Sequence, residues 1–147
     1  MVAYNHEPFI AKAIDGIVSQ KTRFNHEIVI GEDCSRDNTR NIIINFQHRY
    51  PDRIRLLLNE TNLGMHNNGL QTLKACRGQY IALLEGDDYW TSDDKLQKQA
   101  DFLDNHPECS ACFHNALIVY EDGSHEPTDY RPSQKDFSSV EDLLLDN

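Results

Sequence analysis

The chain has 147 residues, 39% of them hydrophobic and 26% charged, which suits one soluble globular domain with a real core. Lys and Arg number 14 against 24 Asp and Glu, a net charge of −10 that argues against non-specific binding to nucleic acid or an anionic membrane. It leaves a nucleotide ligand open, because a bound divalent cation can offset two phosphates locally.

In chain order, Met1-Val2-Ala3-Tyr4-Asn5 reads as the end of a strand. Residues 8–20 read as a helix, with Pro8 in its first turn and Phe9, Ile10, Ala13, Ile14, Ile17 and Val18 at helical spacing. Glu27 to Ile30 is a short β-branched run that ends in the acidic pair Glu32-Asp33. Asp37-Asn38-Thr39 offers caps for a second helix carrying Ile42, Ile43, Phe46 and Tyr50, which Pro51 closes. Ile54 to Leu58 is the next strand, and Asn59 to Asn68 a polar loop. A short helix follows through Leu70, Leu73 and Cys76, with Gly78 as its C-cap. The continuous apolar run Tyr80 to Leu84 predicts a buried strand, again ending in acid: Glu85-Gly86-Asp87-Asp88. Ser92-Asp93 caps a helix through Leu96, Ala100 and Leu103 that stops near Pro107. Ser110 to Tyr120 predicts a longer strand and Asp122-Gly123 a hairpin turn; residues 124–137 read as loose, and Ser138 to Glu141 as a capping box opening a last helix. That helix is cut short at Asn147, so the whole reads as one domain taken from a longer chain.

Alternating strands and helices predict an α/β sheet, mostly parallel and covered on both faces. Ligands of such sheets sit beyond the carboxyl ends of the strands. Tyr4-Asn5, Glu32-Asp33 and Glu85 to Asp88 should therefore converge on one edge. Three carboxylates in four residues repel one another unless a cation sits between them, and Mg²⁺ or Mn²⁺ would accept both carboxylate and phosphate oxygens there. The plain alternative is a solvated acidic turn, with Tyr89-Trp90 as an aromatic wall beside it. Asp33 is placed either to accept the imide N–H of a uracil or thymine ring or to cap the next helix. Tyr4 either stacks on a base or packs at the strand end. Cys34, Cys76, Cys109 and Cys112 are too sparse for a disulfide scaffold, and the CxxC of Cys109 and Cys112 lacks a second pair at zinc-site spacing. They read as thiols of a reducing cytoplasm. No apolar run reaches membrane-spanning length and no signal peptide is visible.

Taken in order, Val2-Ala3-Tyr4-Asn5, Ile17-Val18-Ser19-Gln20, Glu32-Asp33-Cys34-Ser35-Arg36-Asp37-Asn38-Thr39, Asn62-Leu63-Gly64, Gly78 to Ala82 and Glu85-Gly86-Asp87 resemble the motif series of family-2 glycosyltransferases of the GT-A fold, over residues 1 to about 120. The resemblance implies a Rossmann-like α/β/α sandwich and a nucleotide-diphosphate sugar donor of UDP or dTDP type. It implies Mn²⁺ or Mg²⁺ as cofactor, a glycan or lipid-linked acceptor, and a place in polysaccharide biosynthesis. It further implies that the backbone at Val2 and the ring of Tyr4 hold the base, that Asp33 binds its imide, and that Glu85 faces the ribose or metal. Asp87, from the family's DxD motif, would ligate the metal. Glu32 and Glu85 both stand where the family more often has Asp. The general base lies in the second half of such enzymes, and nothing after Asp122 matches it. The expected setting is cytoplasmic, with peripheral attachment to the inner face of the plasma membrane left open for a longer protein. Two competing readings are a non-catalytic nucleotide-sugar-binding module and a phosphoacceptor receiver domain. The second needs a strand-end Lys, and Lys95 lies within a predicted helix instead.

Overall fold

The structure, a computed structural model, describes residues 1–130 and residue 139. The chain forms two compact units, Met1–Ser110 and the part from Ala111 onward.

The first unit is built on three parallel strands, β1 (Val2–Ala3), β2 (Ile28–Glu32) and β3 (Ile54–Leu58), in the order β1-β2-β3. The helix α1 (Ile10–Val18) joins β1 to β2, and α2 (Thr39–Arg49) joins β2 to β3. Then come α3 (Met65–Ala75) and α4 (Lys95–Asn105). Side chains alternate between the faces of a strand, and β2 shows what each face does. Ile28 and Ile30 join Ile10, Ile14 and Ile17 of α1, Ile43 and Phe46 of α2, Ala3 and Ile54 in one apolar core. The opposite face is polar. There Gly31 lies under α3, whose buried residues are Asn68 and Thr72. Asn68 Nδ2 donates to the Gly31 carbonyl at 2.9 Å, and Thr72 Oγ1 donates to the Asn68 carbonyl at 2.7 Å. Helices therefore cover both faces, as an α/β/α sandwich requires.

This packing turns α3 over relative to its sequence pattern. Leu70 and Leu73, expected inward, are exposed, and the helix ends at Cys76, two residues before the expected Gly78 cap. The reason is steric. A β-carbon at Gly31 would stand 2.0 Å from Thr72 Oγ1 and 2.6 Å from Asn68 Oδ1. The helix approaches the strand backbone too closely for leucine and docks by hydrogen bonds.

The expected strand at 80–84 is also absent: Tyr80, Ile81 and Leu83 are exposed, and only Glu85 bridges, in parallel, to Val2. A strand exists only where its backbone is paired, and residues 80–84 make no ladder with a neighbouring strand. The remaining elements sit close to expectation. Pro8 precedes the N-cap Phe9, and β3 covers the predicted residues. Gln20 pins the end of α1 to the start of α4: its Nε2 donates to the carbonyls of Gly16 and Ser92, and its Oε1 accepts from Leu96 N–H at 3.0 Å. At the far end of the sheet, Arg53 donates to the Val18 carbonyl at 3.1 Å and meets His26 Nε2 at 2.7 Å, so the imidazole accepts there.

In the second unit the long strand expected at 110–120 shortens to β4 (Leu117–Ile118), paired antiparallel with β5 (Thr128–Asp129). The turn expected at Asp122-Gly123 is present. Gly123, at φ 64°, donates to the Tyr120 carbonyl, and hydrogen bonds from Ser124 hold the Asp122 carboxyl below its ordinary value. The predicted capping box and final helix lie outside the described residues, apart from Ser139. Among the described residues no helix is long and apolar enough to cross a membrane.

Two outcomes follow from this packing. Gly31→Ala should cost about 1–3 kcal/mol, the usual range for forcing atoms into a filled core. Adding Thr72→Ala should recover part of the loss, and urea midpoints of the single and double variants measure both; an unchanged Gly31→Ala midpoint would mean that α3 is not seated on β2. Burial, and then the Arg53 guanidinium, hold His26 below its ordinary value near 6.5. The unfolded chain therefore takes up this proton first on acidification, so the stability tied to neutral His26 is complete above pH 6.5 and declines as pH falls toward the lowered folded value. Wild type should lose more stability than His26→Gln between about pH 7.5 and about pH 5.5. Parallel losses would remove His26 from the acid response.

Candidate functional site

The chain runs from β1 to β3 in one direction across the sheet and then returns to bridge the other side of β1 at Glu85. Such a reversal marks the carboxyl end of β1 as the place where α/β sheets bind ligands. Gly86 N–H donates to the Val2 carbonyl at 3.0 Å, fixing the acidic turn beside that strand. Only glycine fits there, because a β-carbon on residue 86 would meet His6 Nδ1 at 2.6 Å and the Val2 carbonyl at 3.1 Å. Glu85, Asp87 and Asp88 are exposed around it. His6 Nε2 lies 3.8 Å from Asp87 Oδ2, and its buried Nδ1 has no hydrogen-bond partner. Among the described residues no three His, Cys, Asp or Glu side chains are already gathered into a cation cage. Two open carboxylates one residue apart nonetheless fit a hard divalent cation that takes its remaining ligands from phosphate and water. Tyr89 and Trp90 turn toward neighbouring lysines: Lys12 Nζ sits 3.5 Å over the Tyr89 ring, and Lys95 Nζ 4.2 Å over the Trp90 ring.

The loops after β1 and β2 are laced together. Asn5 N–H donates to Ser35 Oγ (3.0 Å), Arg36 N–H to Asn5 Oδ1 (2.8 Å) and His6 N–H to Thr39 Oγ1 (2.8 Å). Glu7 N–H donates to Asp37 Oδ2 (3.1 Å), and Asn38 N–H to Glu7 Oε2 (2.9 Å). Asp37 also accepts from Thr39 N–H at the start of α2, the capping role expected of it. Partial burial pushes its carboxyl up, but the hydrogen bonds from Thr39 and Glu7 prevail and hold it below its ordinary value. The polar residues of both motifs thus build one frame. Tyr4 stands at its rim, partly exposed.

The acids that end β2 are buried within this frame. Glu32 is wholly inaccessible; its Oε1 accepts from Ser35 N–H at 2.7 Å and its Oε2 pairs with Arg40, which also donates to the Asn59 carbonyl. Asp33, 2% exposed, accepts at Oδ1 from Asn59 Nδ2 (2.9 Å) and Leu63 N–H (2.8 Å), and at Oδ2 from Gly64 N–H (2.9 Å). Asn62 Nδ2 donates to its carbonyl at 3.1 Å. The structure thus places Glu85 beside Val2 with Asp87 in the same exposed turn, leaves Tyr4 exposed just after β1, and buries Glu32 and Asp33 as hubs of the neighbouring loops. Asn59, Asn68 and His6 carry no motif spacing of their own, so the sequence did not single them out.

A parallel α/β sheet with strand-end acids at its point of reversal defines the class: a nucleotide-sugar-transferase fold of the GT-A type. Residues 1–141 match the family described as Glycosyl transferase family 2, and the chain belongs to that family. It is 44% identical over 147 residues to an uncharacterized protein of Mycobacterium tuberculosis, covering 99% of this chain and 42% of that protein. It is 36% identical over 123 residues to the putative glycosyltransferase EpsE of Bacillus subtilis, covering 84% and 44%. Against the Escherichia coli UDP-Glc:alpha-D-GlcNAc-diphosphoundecaprenol beta-1,3-glucosyltransferase WfgD it is 35% identical over 103 residues, covering 70% and 39%. The chain thus spans about two fifths of the length of these relatives. Among solved structures it resembles S. aureus TarS 1-349 in complex with UDP, with TM-score 0.60, 26% identity, 72% of this chain and 31% of that one. The fold also matches the mannosyltransferase PcManGT of Pyrobaculum calidifontis in complex with GDP-Man and Mn²⁺, with TM-score 0.62, 22% identity, 69% and 30%.

Proposed function

We propose that this chain holds the donor of a metal-assisted, inverting transfer of a sugar from a UDP- or dTDP-type nucleotide to a glycan or lipid-linked acceptor. The observation that carries the reading is the bridge between Val2 and Glu85, which puts an open acidic turn at the point of sheet reversal in a chain of this family. The base lies against the Val2 backbone and the Tyr4 ring, with its imide N–H directed to Asp33. Glu85 would face the ribose or metal region. Asp87 would hold Mn²⁺ or Mg²⁺, which offsets the charge of the diphosphate when bound. In the transfer, an acceptor hydroxyl oxygen bonds to the anomeric carbon as the bond to the diphosphate oxygen breaks, and the hydroxyl proton passes to a general base outside the residues assigned here.

Asp87→Ala should abolish Mn²⁺-dependent binding of UDP and leave the fold intact, since an exposed turn acid supports no core. Glu85→Ala should weaken binding less. Calorimetry with UDP, with and without Mn²⁺, measures both; an unchanged metal dependence in Asp87→Ala would sink the metal assignment. Asp33→Asn takes the charge from the bond to the base, worth roughly 1.5–3 kcal/mol, and turns an amide N–H toward one of the donors Asn59, Leu63 and Gly64. UDP affinity should then fall about 10- to 100-fold, while free pyrophosphate affinity hardly changes. Equal losses for both ligands would restrict Asp33 to holding the loop at 62–64.

A further inference from the structure

We propose that Asn59 is a positioning residue that sets base specificity by orienting Asp33; the inference rests on the reading of Asp33 as the group that meets the base. The hydrogen bonds fix every carboxamide in the chain of contacts. Asn68 must turn its amide nitrogen to the Gly31 carbonyl, 2.9 Å away, because a carbonyl only accepts. Its Oδ1 is then the acceptor for Asn59 Nδ2, at 3.1 Å. The same Asn59 nitrogen donates to Asp33 Oδ1 at 2.9 Å, and Asn59 Oδ1 accepts from Gln71 Nε2 at 3.2 Å. Both amide protons of Asn59 are therefore spent, one on α3 and one on Asp33. A flipped amide would set oxygen against oxygen at both ends. The Asn59 backbone is held as well: its N–H donates to the Glu32 carbonyl and its own carbonyl accepts from Arg40. Asn59 is 8% exposed and Asn68 2%, so water does not replace these bonds cheaply.

The consequence falls on Asp33. A carboxylate has about four lone-pair sites. Asn59 and Leu63 fill the two on Oδ1, and Gly64 takes one on Oδ2. One acceptor position on Oδ2 remains; its direction is set by Leu63 and Gly64 N–H together with Asn59, the one side chain among the three donors. An acceptor-only site meets a ring N–H, as in uracil or thymine, and opposes the lone pair at the same position of cytosine. Asn59 never touches the base, yet it governs whether Asp33 distinguishes the two.

The test compares affinities for UDP, CDP and free pyrophosphate in Mn²⁺ by calorimetry, on wild type, Asn59→Ser, Asp33→Asn and the double variant. Asn59→Ser should lower the UDP-to-CDP ratio by about tenfold, the effect of one hydrogen bond to a charged group, and leave pyrophosphate within about twofold of wild type. The double variant should show a ratio no lower than Asp33→Asn alone. Equal losses for all three ligands in Asn59→Ser, or a double variant in which the two effects multiply, overturns the inference. If Asp33→Asn leaves the ratio at its wild-type value, the reading of Asp33 fails and takes this inference with it. If Asp33→Asn collapses the ratio and Asn59→Ser does not, only the role of Asn59 fails. Should Asn59→Ser not fold, Asn59→Thr, which likewise lacks the amide that donates to both Asp33 and Asn68, is measured the same way; an unchanged ratio in a folded variant overturns the proposal.

Discussion

Consecutive residues at the end of a strand point to opposite faces of the sheet, and here both are buried carboxylates. Glu32 turns to the face covered by α2 and gathers Ser35 and Arg40; Asp33 turns to the face covered by α3 and gathers Asn59, Leu63 and Gly64. A buried charge left unpaired costs several kcal/mol, so each acid compels the surrounding loop to bring it donors. The conformation of both loops follows from that demand. The backbone of Cys34, immediately after the pair, adopts φ 59°, a left-handed geometry that lets the chain turn from one hub to the other.

Much of this architecture was legible in the sequence because it rests on local rules. The apolar period of residues 10–18, the β-branched run at 28–30 and the closing Pro51 each reflect one element and its boundary. The placement of Glu32 and Glu85 on either side of β1 was legible because topology alone sends parallel strand ends to one edge. Less was visible where a partner decides. Residues 80–84 have the composition of a buried strand, but a strand exists only when its backbone is paired, and here only Glu85 bridges to β1. The face of α3 was misread for a related reason. Periodicity assumes that the apolar stripe is the buried one, and a helix pressed against Gly31 has no room for leucine.

The roles of the site residues divided along burial. Sequence reading assigned Glu32 and Asp33 by the motif they occupy, which does not distinguish a carboxylate that meets a ligand from one that holds the loop that meets it. The structure adds that distinction: Glu32 has no accessible surface, whereas Glu85 and Asp87 are open. The lacing of Asn5, Glu7, Ser35, Asp37 and Thr39 was equally hidden, because reciprocal hydrogen bonds across 30 residues leave no periodic trace. In hindsight, the signal was the density of short polar side chains just after two successive strands.

The division also explains how one site can be rigid on one side and adaptable on the other. Behind β2, Asn59, Leu63 and Gly64 donate to Asp33 and Asn68 donates to the Gly31 carbonyl, so shifting one group would strand another in a low-dielectric interior. At the acidic turn, Gly86 fixes the backbone to Val2, but the carboxylates on either side extend into solvent and pay little to reorient. A nucleobase presents a fixed pattern of donors and acceptors and is best met by a preset wall. A diphosphate with its cation presents freely rotating oxygens whose coordination must re-form with each ligand exchange, and long, exposed acids suit it. The buried and open carboxylates of this fold are thus distributed according to the stiffness of what each is proposed to meet.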